Sequence, residues 1–143
     1  MICYLDTSAI VKLYVDEEGS DVVRGVVADS LMVGTAKISY AETRAALARA
    51  CREGALTEDQ YRQTVLSFNA EWQTYLTLEI SDLLLVMAGD LADEYRLRGF
   101  DAIHMASAAL LQQKVKEPVL FGCWDGRLRS AALTHGFRVF PRD

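Results

Sequence analysis

With 143 residues, 51% of them hydrophobic, the chain can bury one sizeable core but is too short to argue for two, so a single domain over 1–143 is expected. A net charge of −5 and an isoelectric point near 5.0 argue against tight binding along a long stretch of nucleic acid, which needs many Lys and Arg to replace counterions; local contact with a phosphate backbone stays open. Cys3, Cys51 and Cys123 are widely spaced without a CxxC pair, which speaks against a disulfide framework or a zinc site and suits a reduced, cytoplasmic setting.

The first element in the pattern is a short apolar strand at 2–5, ending at Asp6. Thr7 or Ser8 then offers an N-cap for an apolar-periodic helix through Tyr14. Because Asp6 interrupts the apolar start, no secretion leader is read there. Gly19-Ser20 opens a second helical pattern carrying Val22, Val23, Val26 and Val27, and Leu31, Met32 and Val33 read as a second buried strand. Helices are expected over 36–52, closed by Gly54; over 57–76, where Thr57 and Gln60 have capping-box spacing; and over 81–98, closed by Gly99. The next helix runs from Asp101 to about Lys116 and stops before Pro118. Then come an apolar strand at 119–123, a turn at Asp125-Gly126, a helix at 127–135 ended by Gly136, and a last strand at 137–140. Apolar strands alternating with helices imply an α/β fold with a parallel sheet covered on both faces. The longest apolar runs, such as 83–88 and 108–111, fall far short of the roughly 20 residues of a membrane helix.

In such a sheet, ligands gather beyond the carboxyl ends of the strands. Asp6 follows the first strand, Asp125 follows the strand at 119–123, Asp101 opens the helix leading into that strand, and Glu42 sits in the helix after the second strand. Each has an ordinary reading when taken alone: an Asx-turn for Asp6, an N-cap for Asp101, a turn residue for Asp125, and a capping box with Ser39 for Glu42. Together they read differently. Like charges roughly 4 Å apart repel by ~4 kcal/mol per pair at an effective dielectric of about 20, so four carboxylates in one place need a cation. Oxygen ligands without a Cys or His set suit Mg²⁺ or Mn²⁺. These ions activate water and neutralise phosphodiester oxygens, which makes metal-assisted hydrolysis of a phosphodiester the chemistry to expect. Two rivals stay open. A phosphatase of the haloacid-dehalogenase type wants a second aspartate two residues after Asp6, where this chain has Ser8. The other rival is a non-catalytic module that keeps the acidic groove to dock a basic peptide.

The motifs "YLDTSAIVKLY", "SYAETRAAL", "RGFDAIHMASAAL" and "VLFGCWDGRLRSAALTHGFRVF", in this order over nearly the whole chain, resemble the PIN-domain ribonucleases, and most closely the VapC toxins of type II toxin–antitoxin modules. The resemblance implies a five-stranded parallel PIN-like sheet with helices on both faces and endoribonuclease activity on RNA. It also implies a homodimer, and a VapB-like antitoxin whose tail covers the groove and through which alone DNA is met. Its metal-binding acids fall on Asp6, Glu42, Asp101 and Asp125, and its hydroxyl after the first aspartate falls on Thr7 or Ser8. Many relatives carry Thr or Ser two positions before the last aspartate; this chain has Cys123, a weaker donor.

Arg96 and Arg98 before Asp101, and Arg127 and Arg129 after Asp125, are candidates for RNA phosphate contacts, with solvated helix ends as the alternative. Lys12 is a weaker candidate for the same role. His104 reads as a hydrogen-bonded core residue before it reads as a substrate contact, and His135 as a helix C-terminal residue favourable to the dipole. Tyr61, Phe68, Trp72, Tyr75 and Leu76 read as core or dimer interface. Trp124 either stacks on a base or seals the sheet edge.

Overall fold

The structure is a computed structural model that describes residues 1–142. In chain order the elements are β1 (Ile2–Leu5), α1 (Thr7–Tyr14), α2 (Ser20–Asp29), β2 (Val33–Ala36), α3 (Ser39–Arg52), α4 (Glu58–Trp72), β3 (Leu76–Leu78), α5 (Asp82–Tyr95), α6 (Gly99–Lys114), β4 (Val119–Gly122), α7 (Gly126–His135) and β5 (Arg138–Phe140). The five strands form one parallel sheet in the order β3-β2-β1-β4-β5. The chain fills one half of the sheet, outward from β1, before β4 returns to the other side of β1. That reversal places a crevice at the carboxyl ends of β1 and β4.

Alternation along β1 divides the core into two layers. Tyr4 belongs to the layer under α5, α6 and α7 with Leu84, Met105, Leu111 and Phe121, whereas Cys3 and Leu5 belong to the layer under α1 to α4 with Ile10, Leu47 and Phe68. The stripe of middle aromatics is core: Phe68 is fully buried and stacks on Tyr40, edge-on to Tyr14 and Trp72. In the other layer α6 presents Ala102, Ala106, Ser107 and Ala108, small enough to bring its backbone close to the strands.

Several boundaries differ from those read off the sequence. The second strand is Val33–Ala36 rather than 31–33; Leu31 and Met32 are exposed, and Gly34-Thr35 carry the pairing to β1 and β3. The helix expected over 36–52 begins at Ser39 because Ala36 finishes that strand. The helix expected over 57–76 stops at Trp72, and Leu76–Leu78 form the edge strand β3. The capping box of Thr57 and Gln60 is present as expected. The helix expected over 81–98 ends at Tyr95, with Arg96 rather than Gly99 taking the left-handed conformation, and Gly99 instead starts α6. Gly54 and Gly136 do adopt positive φ at their helix ends.

Candidate active site at the carboxyl end of the sheet

β1 and β4 run in register, Leu5 beside Gly122, and the Asp6 amide donates to the Gly122 carbonyl at 3.1 Å. The close pairing needs Gly122, because a Cβ there would run into the Phe140 ring. Asp6 therefore emerges beside Cys123, two residues before Asp125.

Asp6 itself caps α1; neither Thr7 nor Ser8 does. Its Oδ1 accepts from the Ala9 amide at 3.0 Å and from Ser8 Oγ at 2.7 Å, and Ser8 Oγ in turn accepts from the Trp124 amide at 3.2 Å. One hydroxyl thus ties the first aspartate to the loop that carries the last. Asp125 caps α7 in the same manner, with Oδ1 accepting from the Leu128 amide at 2.9 Å. The ordinary reading as a capping or turn residue therefore holds for both, and in both it engages only one oxygen.

Glu42 makes no capping box; α3 has no side-chain cap. Its Oε1 accepts from Thr7 Oγ1 at 2.7 Å and lies 3.2 Å from His104 Nε2. The two candidate hydroxyls have separate tasks, Ser8 on Asp6 and Thr7 on Glu42. Asp101 is not an N-cap either. The cap of α6 is Arg98, without a side-chain bond, and Asp101 is the third helical residue, where its charge suits the helix dipole. Among the described residues its carboxylate accepts no hydrogen bond.

The electrostatics follow this arrangement. Burial pushes Asp6 above the ordinary carboxyl range, with His104, Ser8 and the Ala9 amide opposing and Asp101 adding to the shift. Asp101 is also raised, by burial first and then by Asp125, with Glu42 contributing and His104 and Arg98 opposing. Burial also works to raise Glu42, but the hydrogen bonds from His104 and Thr7 outweigh it and hold this carboxyl below its usual value. Asp101 thus feels all three of the other acids, directly or through its effect on Asp6. That mutual repulsion marks a shared site.

Among the described residues, no group of three or more His, Cys, Asp or Glu side chains is gathered tightly enough to hold a metal ion as the side chains stand. The donor chemistry nevertheless fits a hard divalent cation. The described protein hydrogen bonds to Asp6, Glu42 and Asp125 each fall on one oxygen, leaving the other for a ligand, and Asp101 has both available. Like charges spread apart when no cation compensates them, and Asp101 has no hydrogen bond to break in rotating.

Around this cluster, Arg98 is exposed and acts on the charge of Asp101, Arg96 and Arg127 are exposed, and Arg129 donates to the Cys123 carbonyl at 3.3 Å. Lys12 is bound to Glu17 at 3.1 Å and lies over the Trp124 ring, 5.0 Å from its centroid, so it is already engaged. Trp124 packs edge-on to Phe140 and against Gly19, whose φ of +92° and absent side chain admit the indole; a Cβ there would come within 2.7 Å of the ring. These contacts fit the sealing role. Cys123 is buried and its Sγ reaches the carbonyl of Asp125 at 3.6 Å, not the carboxylate. Burial, then Asp6, drives this thiol far above its ordinary value. His135 ends α7 as expected and pairs with Tyr95 at 3.1 Å. His104 is the hydrogen-bonded core residue expected, buried and bonded to Glu42. Its partner Tyr4 is a neighbour of the candidate site that sequence reasoning missed, since nothing in an apolar strand marks one ring as reaching α6.

Comparison with known proteins identifies the family and the fold. The family model described as "PIN domain" matches residues 3–116. Ribonuclease VapC45 and Ribonuclease VapC49, from two strains of Mycobacterium tuberculosis, are each 34% identical over 141 residues, covering 98% of this chain and 95% of theirs. Among solved structures, VapBC2 from Rickettsia felis bound to a promoter DNA fragment aligns with a TM-score of 0.64 at 12% identity, covering 97% of each chain. FitAcB from Neisseria gonorrhoeae aligns at 0.63 and 20% identity, covering 98% of this chain and 96% of that one. At these identities the two structures speak for the fold.

Proposed function

This chain belongs to the PIN-domain family, among its VapC-type members, and from that premise we propose that it is a metal-dependent endoribonuclease, the toxin of a VapBC-type toxin–antitoxin pair, built as one PIN-like domain over 1–143. The observation that carries the reading is the one-sided anchoring of the acids. Asp6, Glu42 and Asp125 are each held through one oxygen, with Asp101 unengaged among them. The cap and hydroxyl bonds hold each acid in place, and the second oxygen is left available to a cation.

In this reading Asp6, Glu42, Asp101 and Asp125 hold Mg²⁺ or Mn²⁺, which when bound supplies water activation and charge neutralisation at the scissile phosphodiester. Ser8 holds the rotamer of Asp6 and Thr7 that of Glu42, so these two acids are oriented before substrate arrives. Asp101 and Asp125 would complete the set of carboxylates that hold the ion. Arg96, Arg98, Arg127 and Arg129 meet backbone phosphates on either side. The low overall charge suits brief contact at a few phosphates rather than a long footprint. The protein acts as a homodimer, and its antitoxin covers the acidic groove with a basic segment and supplies any contact with DNA. The toxin–antitoxin assemblies among the similar structures support that partner. A cytoplasmic location agrees with the finding that no helix among the described residues is long and apolar enough to cross a membrane.

A second reading, a non-catalytic acidic groove that docks a basic peptide, draws on the absence of a gathered three-donor group among the described residues. One experiment separates them: incubation of the purified protein with a panel of transfer, ribosomal and messenger RNAs across a Mg²⁺ titration. Cleavage that appears with the ion and disappears with chelator is expected; no ion binding and no cleavage would favour docking.

A further inference from the structure

α6 buries its small residues against the sheet, and in their midst it buries an imidazole. His104 is 3% exposed, and such a group is tolerated only when both ring nitrogens are bonded. Both are. Nδ1 lies 2.8 Å from the Tyr4 hydroxyl, reaching across to β1, and Nε2 lies 3.2 Å from Glu42 Oε1 and 3.5 Å from Thr7 Oγ1.

The proton placement in this chain is constrained. Tyr4 is fully buried, and burial first, then the charges of Asp6 and Glu42, hold its hydroxyl protonated. The carboxylate at the other end is an acceptor only. Thr7 already donates to the same Glu42 oxygen at 2.7 Å. One assignment satisfies every distance with a neutral ring: Tyr4 donates to Nδ1, and Nε2–H donates toward Glu42. The Tyr4 ring is itself fixed, stacked on Phe121 at 5.4 Å and 9° between planes, which keeps its oxygen in reach of Nδ1.

We propose that His104 is a positioning residue: locked by Tyr4 as its Nε2–H tautomer, it holds one oxygen of Glu42 against α6 and thereby turns the other toward the cation. This rests on the nuclease reading given above. Partners that orient a ligand are commonly worth about 10- to 100-fold in metal affinity. Glu42 needs such help more than Asp6, because it reaches the site on a longer, more flexible stem and its side chain is 31% exposed.

The test compares wild type with His104→Leu, His104→Gln and Tyr4→Phe. Mn²⁺ binding is followed by electron paramagnetic resonance, RNA cleavage is followed as a function of metal concentration, and nitrogen-15 NMR of the imidazole reads the tautomer. In wild type, Nδ1 is expected unprotonated and Nε2 protonated. His104→Leu should weaken Mn²⁺ binding about tenfold, with cleavage recovering at saturating metal. His104→Gln, whose amide donates from near the Nε2 position, should recover most of the affinity. Tyr4→Phe keeps the ring packing and should release the tautomer, so the role of His104 can be measured even where His104→Leu fails to fold. A protonated Nδ1 in wild type, or wild-type Mn²⁺ affinity in folded His104→Leu or in a Tyr4→Phe protein that has lost the tautomer, overturns the inference alone. A wild-type protein that binds no Mn²⁺ and cleaves no RNA overturns the nuclease reading and this inference with it.

Discussion

Asp6 and Asp101 stand at the same end of the sheet and are held in opposite ways. Asp6 ends a central strand, is buried, caps α1 and takes two hydrogen bonds on one oxygen. Asp101 lies in the first turn of α6, is partly exposed, and accepts no hydrogen bond among the described residues. The strand end is a preorganised half, whose acid is oriented by the fold itself. The helix end is a responsive half, where only a ligand rewards the charge. In the proposed site both halves are expected to matter for activity, and only the first for folding stability.

The largest effect that tests this contrast is on activity. Asp6→Asn and Asp101→Asn should each reduce RNA cleavage on the order of a hundredfold or more, comparable with removing a charge-stabilising group from other active sites. The alanine variants then separate the halves. Asp6→Ala should lose about 1 kcal/mol of folding stability with the cap of α1, whereas Asp101→Ala should not lower the denaturation midpoint. Equal destabilisation of the two in urea unfolding would break the comparison.

Next in size is the response to metal. An ion that binds only the folded state stabilises it by about 2.7 kcal/mol at a hundredfold excess over Kd, and Mg²⁺ or Mn²⁺ is expected to do so for wild type. Asp101→Asn should lose most of that gain in thermal melts with and without chelator. A shift of wild-type size in the variant would mean the ion sits elsewhere.

pH gives a smaller signal. Because Asp101 is raised above its ordinary value, the folded state holds its proton more tightly than the unfolded chain, and its ionised form opposes folding. That penalty is fully present above the folded-state value and is relieved as the pH falls toward the ordinary value. In metal-free buffer, Asp101→Asn should therefore melt higher than wild type at neutral pH, with the difference shrinking on acidification. A difference that grows at low pH would carry the wrong sign.

The smallest expected effect concerns the thiol between the two halves. Cys123 touches the backbone of Asp125 rather than its carboxylate, so Cys123→Ser should leave cleavage within about twofold, as for a weak neutral bond exchanged for another. In the native protein a maleimide should label Cys51, which is partly exposed, and spare Cys3 and Cys123, which are buried.

The same contrast explains what was legible in the sequence. β1, β4 and the turn carrying Asp125 were readable because a continuous apolar run closed by an acid leaves few alternatives. β3 was hidden, since Leu76–Leu78 is three residues long and continues the helical spacing of Trp72 and Tyr75. β2 was displaced because Gly34 and Thr35 look like a turn, although their burial is what lets the sheet pass beneath α6; Leu111 packs directly over Gly34. Arg96 rather than Gly99 ends α5, with the Leu97 amide returning to the Ala92 carbonyl and the Leu97 side chain buried in the core. The four acids are legible from their places after the strands and from the ordered motifs, but the bond from Thr7 to Glu42 and the link from Tyr4 to His104, 35 and 100 residues apart, depend on tertiary packing and rotamers. No local pattern encodes that.

The central claim is that the free oxygens of these acids converge on one divalent ion. Crystals soaked in Mn²⁺ and measured at the manganese absorption edge would test it most directly. The account expects an anomalous peak within about 2.2 Å of oxygens from Asp6 and Asp101, with those two side chains drawn together. A well-diffracting crystal with saturating Mn²⁺ and no peak between them, or a peak bound elsewhere while RNA is still cleaved, would contradict it.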